Sequence, residues 1–133
     1  MASVLLDTHV WAWTLVEPKR VSDAARRVIE AAETVYVSPV SFFEIGQKVR
    51  LGKWPQMAPL VDELPALLSE QGALSARLDA RTCLRAGTMV WAHRDPFDRL
   101  LAATSLEAGM PLVSADAAFD TLSASGTLPA RLW

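Results

Sequence analysis

At 133 residues the chain has the length of one ordinary domain, and with 51% hydrophobic and 21% charged residues its composition is globular rather than disordered. A formal net charge of -2 excludes a molecule that is basic throughout, so any contact with nucleic acid must come from a local patch. A lone cysteine, Cys83, rules out an internal disulfide, and with only two histidines beside it a structural zinc site has no support.

The opening MASVLLDTHVW lacks a basic segment followed by a long apolar stretch, so neither a secretory signal nor a membrane span is expected. A cytoplasmic protein is the default. Residues 3–6 form a short apolar run that reads as a buried strand and ends at Asp7. Residues 8–17 carry helical apolar spacing, which Pro18 stops. Ser22 or Asp23 caps a second helix running to Ala32, with Arg26 and Glu30 spaced as an exposed pair. The β-branched VYVS at residues 35–38 predicts a second strand, and residues 41–51 a helix closed by Gly52.

Residues 59–70 read as helical with a kink or break at Pro65, and residues 73–78 as a weak strand. Asp79 caps a helix expected to reach Trp91, with Cys83 packed inertly in the core, and the Asp95–Pro96 pair starts the next helix. PLVS at residues 111–114 is a further strand, Ser114 or Asp116 opens a short helix, and residues 128–132 offer an edge strand. Strands alternate with helices and no repeat or linker interrupts them. The expectation is a single α/β domain over residues 1–133, built around a mainly parallel sheet.

Parallel sheets bind ligands beyond the carboxyl ends of their strands. Asp7 and Asp116 fall there, while Glu44 and Asp98 lie on the helices that follow and precede two of these strands. Each acid also has an ordinary explanation. Asp7 and Asp116 suit helix caps, Glu44 stands one turn before Lys48, and Asp98 complements the helix that Asp95 caps. Their company shifts the balance, because Phe42, Phe43 and Ile45 surround Glu44 and Phe97 and Leu101 flank Asp98. Two charges about 4 Å apart at an effective dielectric of about 20 repel by about 4 kcal/mol. A dry carboxylate cluster therefore needs protonation or a cation, and oxygen donors suit Mg²⁺ or Mn²⁺.

LLDTHVWAW, VSPVSFFEIGQKVRLGKW, HRDPFDRLLAATSLEAG and PLVSADAAF, in that order over almost the whole chain, resemble the PIN domain. More narrowly they resemble the VapC ribonuclease toxins of type II toxin–antitoxin systems. The resemblance implies a three-layer α/β sandwich, with a central mainly parallel sheet flanked by helices and an acidic pocket at one side. It places the family's four acids on Asp7, Glu44, Asp98 and Asp116, as catalytic residues and as ligands for one or two Mg²⁺ or Mn²⁺ ions. Thr8 and Ser114 fall where hydroxyls help to arrange that site; Ser114 replaces the family's usual threonine. Asp95 is left as a cap. The implied reaction is metal-dependent hydrolysis of RNA, leaving a 5′-phosphate and a 3′-hydroxyl. A cognate VapB-like antitoxin and a homodimer are implied as well, and the apolar residues 10–16 offer a surface for either.

An acidic pocket cannot attract RNA unaided. Lys48, Arg50 and Lys53 after Glu44, and Arg94 and Arg99 around Asp98, are the candidate phosphate contacts. Trp11, Trp13 and Trp91 sit in helical apolar patterns and are expected in the core or an interface rather than against bases; His9 is expected to pack or face solvent rather than catalyse. An aspartyl-phosphate phosphatase needs a second aspartate where His9 stands, and a receiver domain needs a late lysine, whereas Lys53 is the last here. The remaining alternative is a catalytically idle PIN-like module that binds RNA or protein.

Overall fold

The computed structural model describes residues 2–133. The chain runs β1 (Val4–Leu6), α1 (Thr8–Val16), α2 (Asp23–Ala31), β2 (Val35–Val37), α3 (Pro39–Arg50), α4 (Leu64–Glu70), β3 (Leu74–Ser75), α5 (Ala80–Thr88), α6 (Pro96–Ala108), β4 (Leu112–Val113) and α7 (Asp120–Ala124). Short 3₁₀ segments fill Pro18–Arg20, Pro55–Glu63 and Ala117–Phe119. The four strands form one parallel sheet in the order β3-β2-β1-β4. The expected edge strand near the C-terminus contributes a single parallel bridge, Leu132 to Val113.

The strands are short and apolar on both sides because helices cover both faces. Leu5 and Leu112 pack with Val40, Leu101, Ala102 and Phe119 on one face. Val4, Leu6, Val37 and Val113 pack with Val10, Trp11, Ile45 and Met57 on the other. That alternation within β1 produces the three-layer sandwich.

Register decides where chemistry can occur. Leu6 pairs with both Val37 and Val113, so the strands end level and the next residues, Asp7, Ser38 and Ser114, stand in a row along the carboxyl edge. The chain leaves β1 toward β2 on one side and reaches β4 on the other. The crevice between β1 and β4 is thus the switch point where open parallel sheets take their ligands. Asp7 and Ser114 sit on its two lips.

Several boundaries differ from the sequence reading. α3 begins at Pro39 rather than Ser41, because Ser38 accepts from the Val40 N–H and Pro39 supplies a first turn that needs no amide donor. The helix expected over residues 59–70 starts only at Leu64, after a 3₁₀ segment containing Pro59, whose ring is incompatible with the preceding α-turn. β3 is reduced to Leu74–Ser75, and α5 stops at Thr88. Arg26 forms no exposed pair with Glu30; its Nη2 donates to the carbonyls of Pro18 and Val21. Cys83 is exposed rather than packed in the core. No helix among the described residues is long and apolar enough to cross a membrane.

Candidate functional site

Asp7 is both a cap and more than a cap. Its Oδ1 accepts the Val10 N–H at 2.8 Å, starting α1, while its Oδ2 accepts the Ser114 hydroxyl from across the switch point. Ser114 in turn accepts the Asp116 N–H at 3.0 Å, so one buried hydroxyl ties together the two acids that follow β1 and β4. Asp116 caps the 3₁₀ turn through Ala118 N–H and is exposed. On the other flank, Thr8 and Ser41 share a buried 2.8 Å hydrogen bond that fastens the start of α1 to α3, one turn before Glu44.

Asp98 lies in the first turn of α6, which Asp95 caps through the Phe97 and Asp98 amides. Its Oδ2 accepts from His93 Nε2 at 2.7 Å. Glu44 is only 5% exposed, and its Oε2 accepts from Lys48 Nζ at 2.7 Å. The expected Glu44–Lys48 pair exists, but it is sunk into the protein rather than displayed on a solvated helix face. Phe43 and Phe97, with ring centroids 5.9 Å apart, bring the helices carrying Glu44 and Asp98 together.

The electrostatics distinguish Asp7 and Asp98 from ordinary caps. Burial pushes the Asp7 carboxyl up to about 6, against the opposing pull of the Ser114 and Val10 hydrogen bonds, and the charge of Asp98 adds to the rise. Burial likewise raises Asp98 to about 6, with the charges of Asp95 and Asp116 pushing the same way and His93 opposing. Asp7 therefore feels the charge of Asp98, and Asp98 that of Asp116. Glu44 lies on the neighbouring α3, outside the group formed by His93, Asp95 and Asp98, and its charge is met by Lys48.

Such a set fits a hard divalent cation. Its donors are carboxylate oxygens, and its two raised carboxyls sit where negative charge is unwelcome unless a cation compensates it. One further donor, His93, was not singled out in the sequence. Atoms of His93, Asp95 and Asp98 lie within 4.8 Å of one another, close enough to hold an ion. The only trace of this in the sequence is the closeness of His93 to Asp98 within HRDPFD, a loop spacing with no helical period to flag it.

The cations divide. Arg50, Lys53 and Arg94 are exposed. Arg99 is not available to phosphate: its guanidinium donates to the carbonyls of Ala86, Met89, Trp91 and His93, closing the end of α5 and holding the loop that carries His93. Lys48 is occupied by Glu44.

A family model described as PIN domain matches residues 4–124. The chain belongs to the PIN-domain family. It is 35% identical over 120 residues to Ribonuclease VapC22 of Mycobacterium tuberculosis, covering 87% of this chain and 88% of that protein. Its fold is similar to that of a chain in the crystal structure of VapBC2 from Rickettsia felis bound to a DNA fragment from their promoter. That similarity has a TM-score of 0.54 at 13% identity, over 96% of this chain and 93% of the other. The PIN fold expected from the four motifs is the fold observed.

Proposed function

We propose that this PIN-domain chain is a ribonuclease of the VapC type, the toxin of a toxin–antitoxin pair, dependent on Mg²⁺ or Mn²⁺. The reading is supported above all by the Ser114 hydroxyl at the β1–β4 switch point, which donates to Asp7 and accepts from the Asp116 amide, with Asp98 near enough for its charge to raise Asp7. Support also comes from the 35% identity to a protein named as a ribonuclease over nearly its whole length. Asp7, Glu44, Asp98 and Asp116 are the residues that hold the cation.

A divalent ion, when bound, supplies Lewis-acid charge that acidifies an attacking water and offsets charge on the pentavalent transition state and the leaving oxygen. The chain's own groups prepare the place. Ser114 fixes one Asp7 oxygen at the switch point and leaves each oxygen a second lone pair. His93 fixes Asp98, and Arg99 fixes the backbone on either side of His93. Exposed Arg50, Lys53 and Arg94 guide the phosphate backbone toward a pocket that would otherwise repel it. In-line attack leaves a 5′-phosphate and a 3′-hydroxyl. A VapB-like antitoxin silences the enzyme, and a homodimer in the cytoplasm completes this reading, both drawn from the family resemblance.

The test is Asp98→Asn. Purified wild-type protein with Mn²⁺ is expected to cleave RNA, and the variant to lose at least about a hundredfold in rate with unchanged circular dichroism. Undiminished cleavage by the variant overturns the site. Absence of cleavage by wild type under all divalent conditions favours the idle binding module.

A further inference from the structure

We propose that the aromatic, cationic cleft beside the acids is a subsite for one single-stranded nucleotide of the RNA substrate; this rests on the ribonuclease reading above. The cleft has a volume of about 400 Å³ and is bounded by His9 and Trp13 on α1, Arg20, Lys48 at the end of α3, and Lys53 and Trp54 beyond it.

Its walls are rings. His9 stacks on Trp54 with centroids 4.8 Å apart and planes at 26°, and Trp13 lies 6.0 Å from His9 at 56°. His9 is exposed, so a nucleobase laid on its outer face extends the His9–Trp54 stack by one ring. Trp13, expected from its helical pattern in the core or an interface rather than against bases, is only half-buried and turns part of its surface into this cleft. Cations line the same walls: Arg20 Cζ sits 4.6 Å from the Trp13 ring centroid and Lys48 Nζ 5.4 Å from that of Trp54. Stacking faces interleaved with cations are what sequence-tolerant binding of single strands requires, because every base has a π face and every linkage a phosphate.

The cleft is joined to the acids. The Lys48 ammonium that faces Trp54 is the one bonded to Glu44, and His9 follows Asp7 by two residues at the start of α1. Arg20 is paired with Glu17 and Lys48 with Glu44, which leaves exposed Lys53 as the cation for a phosphate, and this charge beside the stacking rings favours a nucleotide over an apolar peptide segment. A nucleotide seated here leaves the adjoining phosphodiester directed toward the carboxyl edge.

The experiment uses the full chain with hexauridylate in EDTA, so that binding is read without cleavage, by ¹⁵N-resolved indole resonances and by affinity. The Trp13 and Trp54 indoles are expected to shift. Those of Trp11 and Trp91, whose N–H groups are bonded to Gln71 and Thr121, are expected to stay in place. Trp54→Leu is expected to weaken binding about tenfold. Since Trp54 also packs on the core, Lys53→Gln supplies a surface variant, expected to lower the slope of log affinity against log salt by about one. Shifts that spare Trp13 and Trp54, or affinity and salt slope unchanged in both variants, overturn the proposal. So does an antitoxin peptide that moves these indoles where hexauridylate does not. Mn²⁺-dependent cleavage is scored separately: RNA cut normally by a Trp54→Leu protein of unchanged affinity removes the subsite and spares the nuclease. Hexauridylate bound at the cleft of a wild-type protein that cuts nothing removes the nuclease and retains the nucleotide site.

Discussion

Asp7→Asn is expected to make the metal-free protein more stable at neutral pH while abolishing cleavage. Asp7 is 6% exposed and its carboxyl is raised from 3.8 to about 6, so folding carries an ionised group into a place that disfavours it. A rise of about two pKa units corresponds to about 3 kcal/mol of lost stability once the group is charged in both states. The sign follows from proton counting. Between about pH 4 and pH 6 the folded chain binds more protons than the unfolded one, so stability falls as pH rises through this window and stays low above it. Asparagine keeps an acceptor for the Val10 N–H, but its amide N–H groups leave the Ser114 hydroxyl proton without a partner, at a cost of about 1 kcal/mol. The net gain is about 2 kcal/mol at pH 7.5, or about 8 °C in Tm for a domain of this size. At pH 5, where wild-type Asp7 is largely protonated in the folded state, less than half of it should remain. Thermal melts in EDTA at the two pH values measure this directly. A variant no more stable than wild type at pH 7.5 would refute the claim that the site stores unfavourable charge.

Three further outcomes follow from the same geometry. Mn²⁺ at about a hundred times its Kd should stabilise the wild type by about 2.7 kcal/mol, read as a shift in Tm, and Asp98→Asn by clearly less; equal shifts would place the ion elsewhere. Ser114→Ala removes a hydrogen bond that lowers the Asp7 carboxyl, so the acidic limb of the pH–rate profile should move to higher pH, and an unmoved limb would separate Ser114 from Asp7's ionisation. Arg99→Lys should cost about 2 kcal/mol or more in denaturant unfolding, since one ammonium cannot replace a planar fork that reaches four carbonyls; a neutral result would show those bonds to be dispensable.

What the sequence disclosed and what it hid divide along a physical line. β1, β2 and β4 were legible because they are unbroken apolar runs bounded by polar residues, and the start of α6 because Asp95 and Pro96 are a cap and a first-turn residue side by side. Asp7 and Asp116 could be placed at strand ends for the same reason. Features set by partners distant in the chain were not legible. Nothing local to Arg99 says that its guanidinium turns back onto the carbonyls of α5, and nothing local to His93 says that a loop folds it onto Asp98. Trp13 fits a buried helical stripe, yet its surroundings include Arg20 and the ring of Trp133, which only the fold brings near. Cys83 misled because its helix packs through Thr82 and Ala86 and leaves the intervening side chain outside.

Three of the four acids proposed to hold the cation already have an internal partner. Lys48 meets Glu44, His93 meets Asp98, and Ser114 donates to Asp7, while Asp116 remains in solvent where water screens it. Each buried carboxylate thus has an internal donor of a different kind, and the three differ in what an incoming cation must displace. The hydroxyl can stay, because it occupies only one lone pair of Asp7. Lys48 and His93 are bonded to oxygens that an ion would also use, so a cation held by Glu44 and Asp98 would have to compete with them. Lys48 has somewhere to go: its ammonium already faces Trp54 in the cationic cleft. A cation taken up by Glu44 and a phosphate drawn into that cleft would both favour the same displacement of one lysine. On the proposed reading, occupancy of the acids and of the cleft would be coupled through this one side chain, in the direction a metal-dependent nuclease needs.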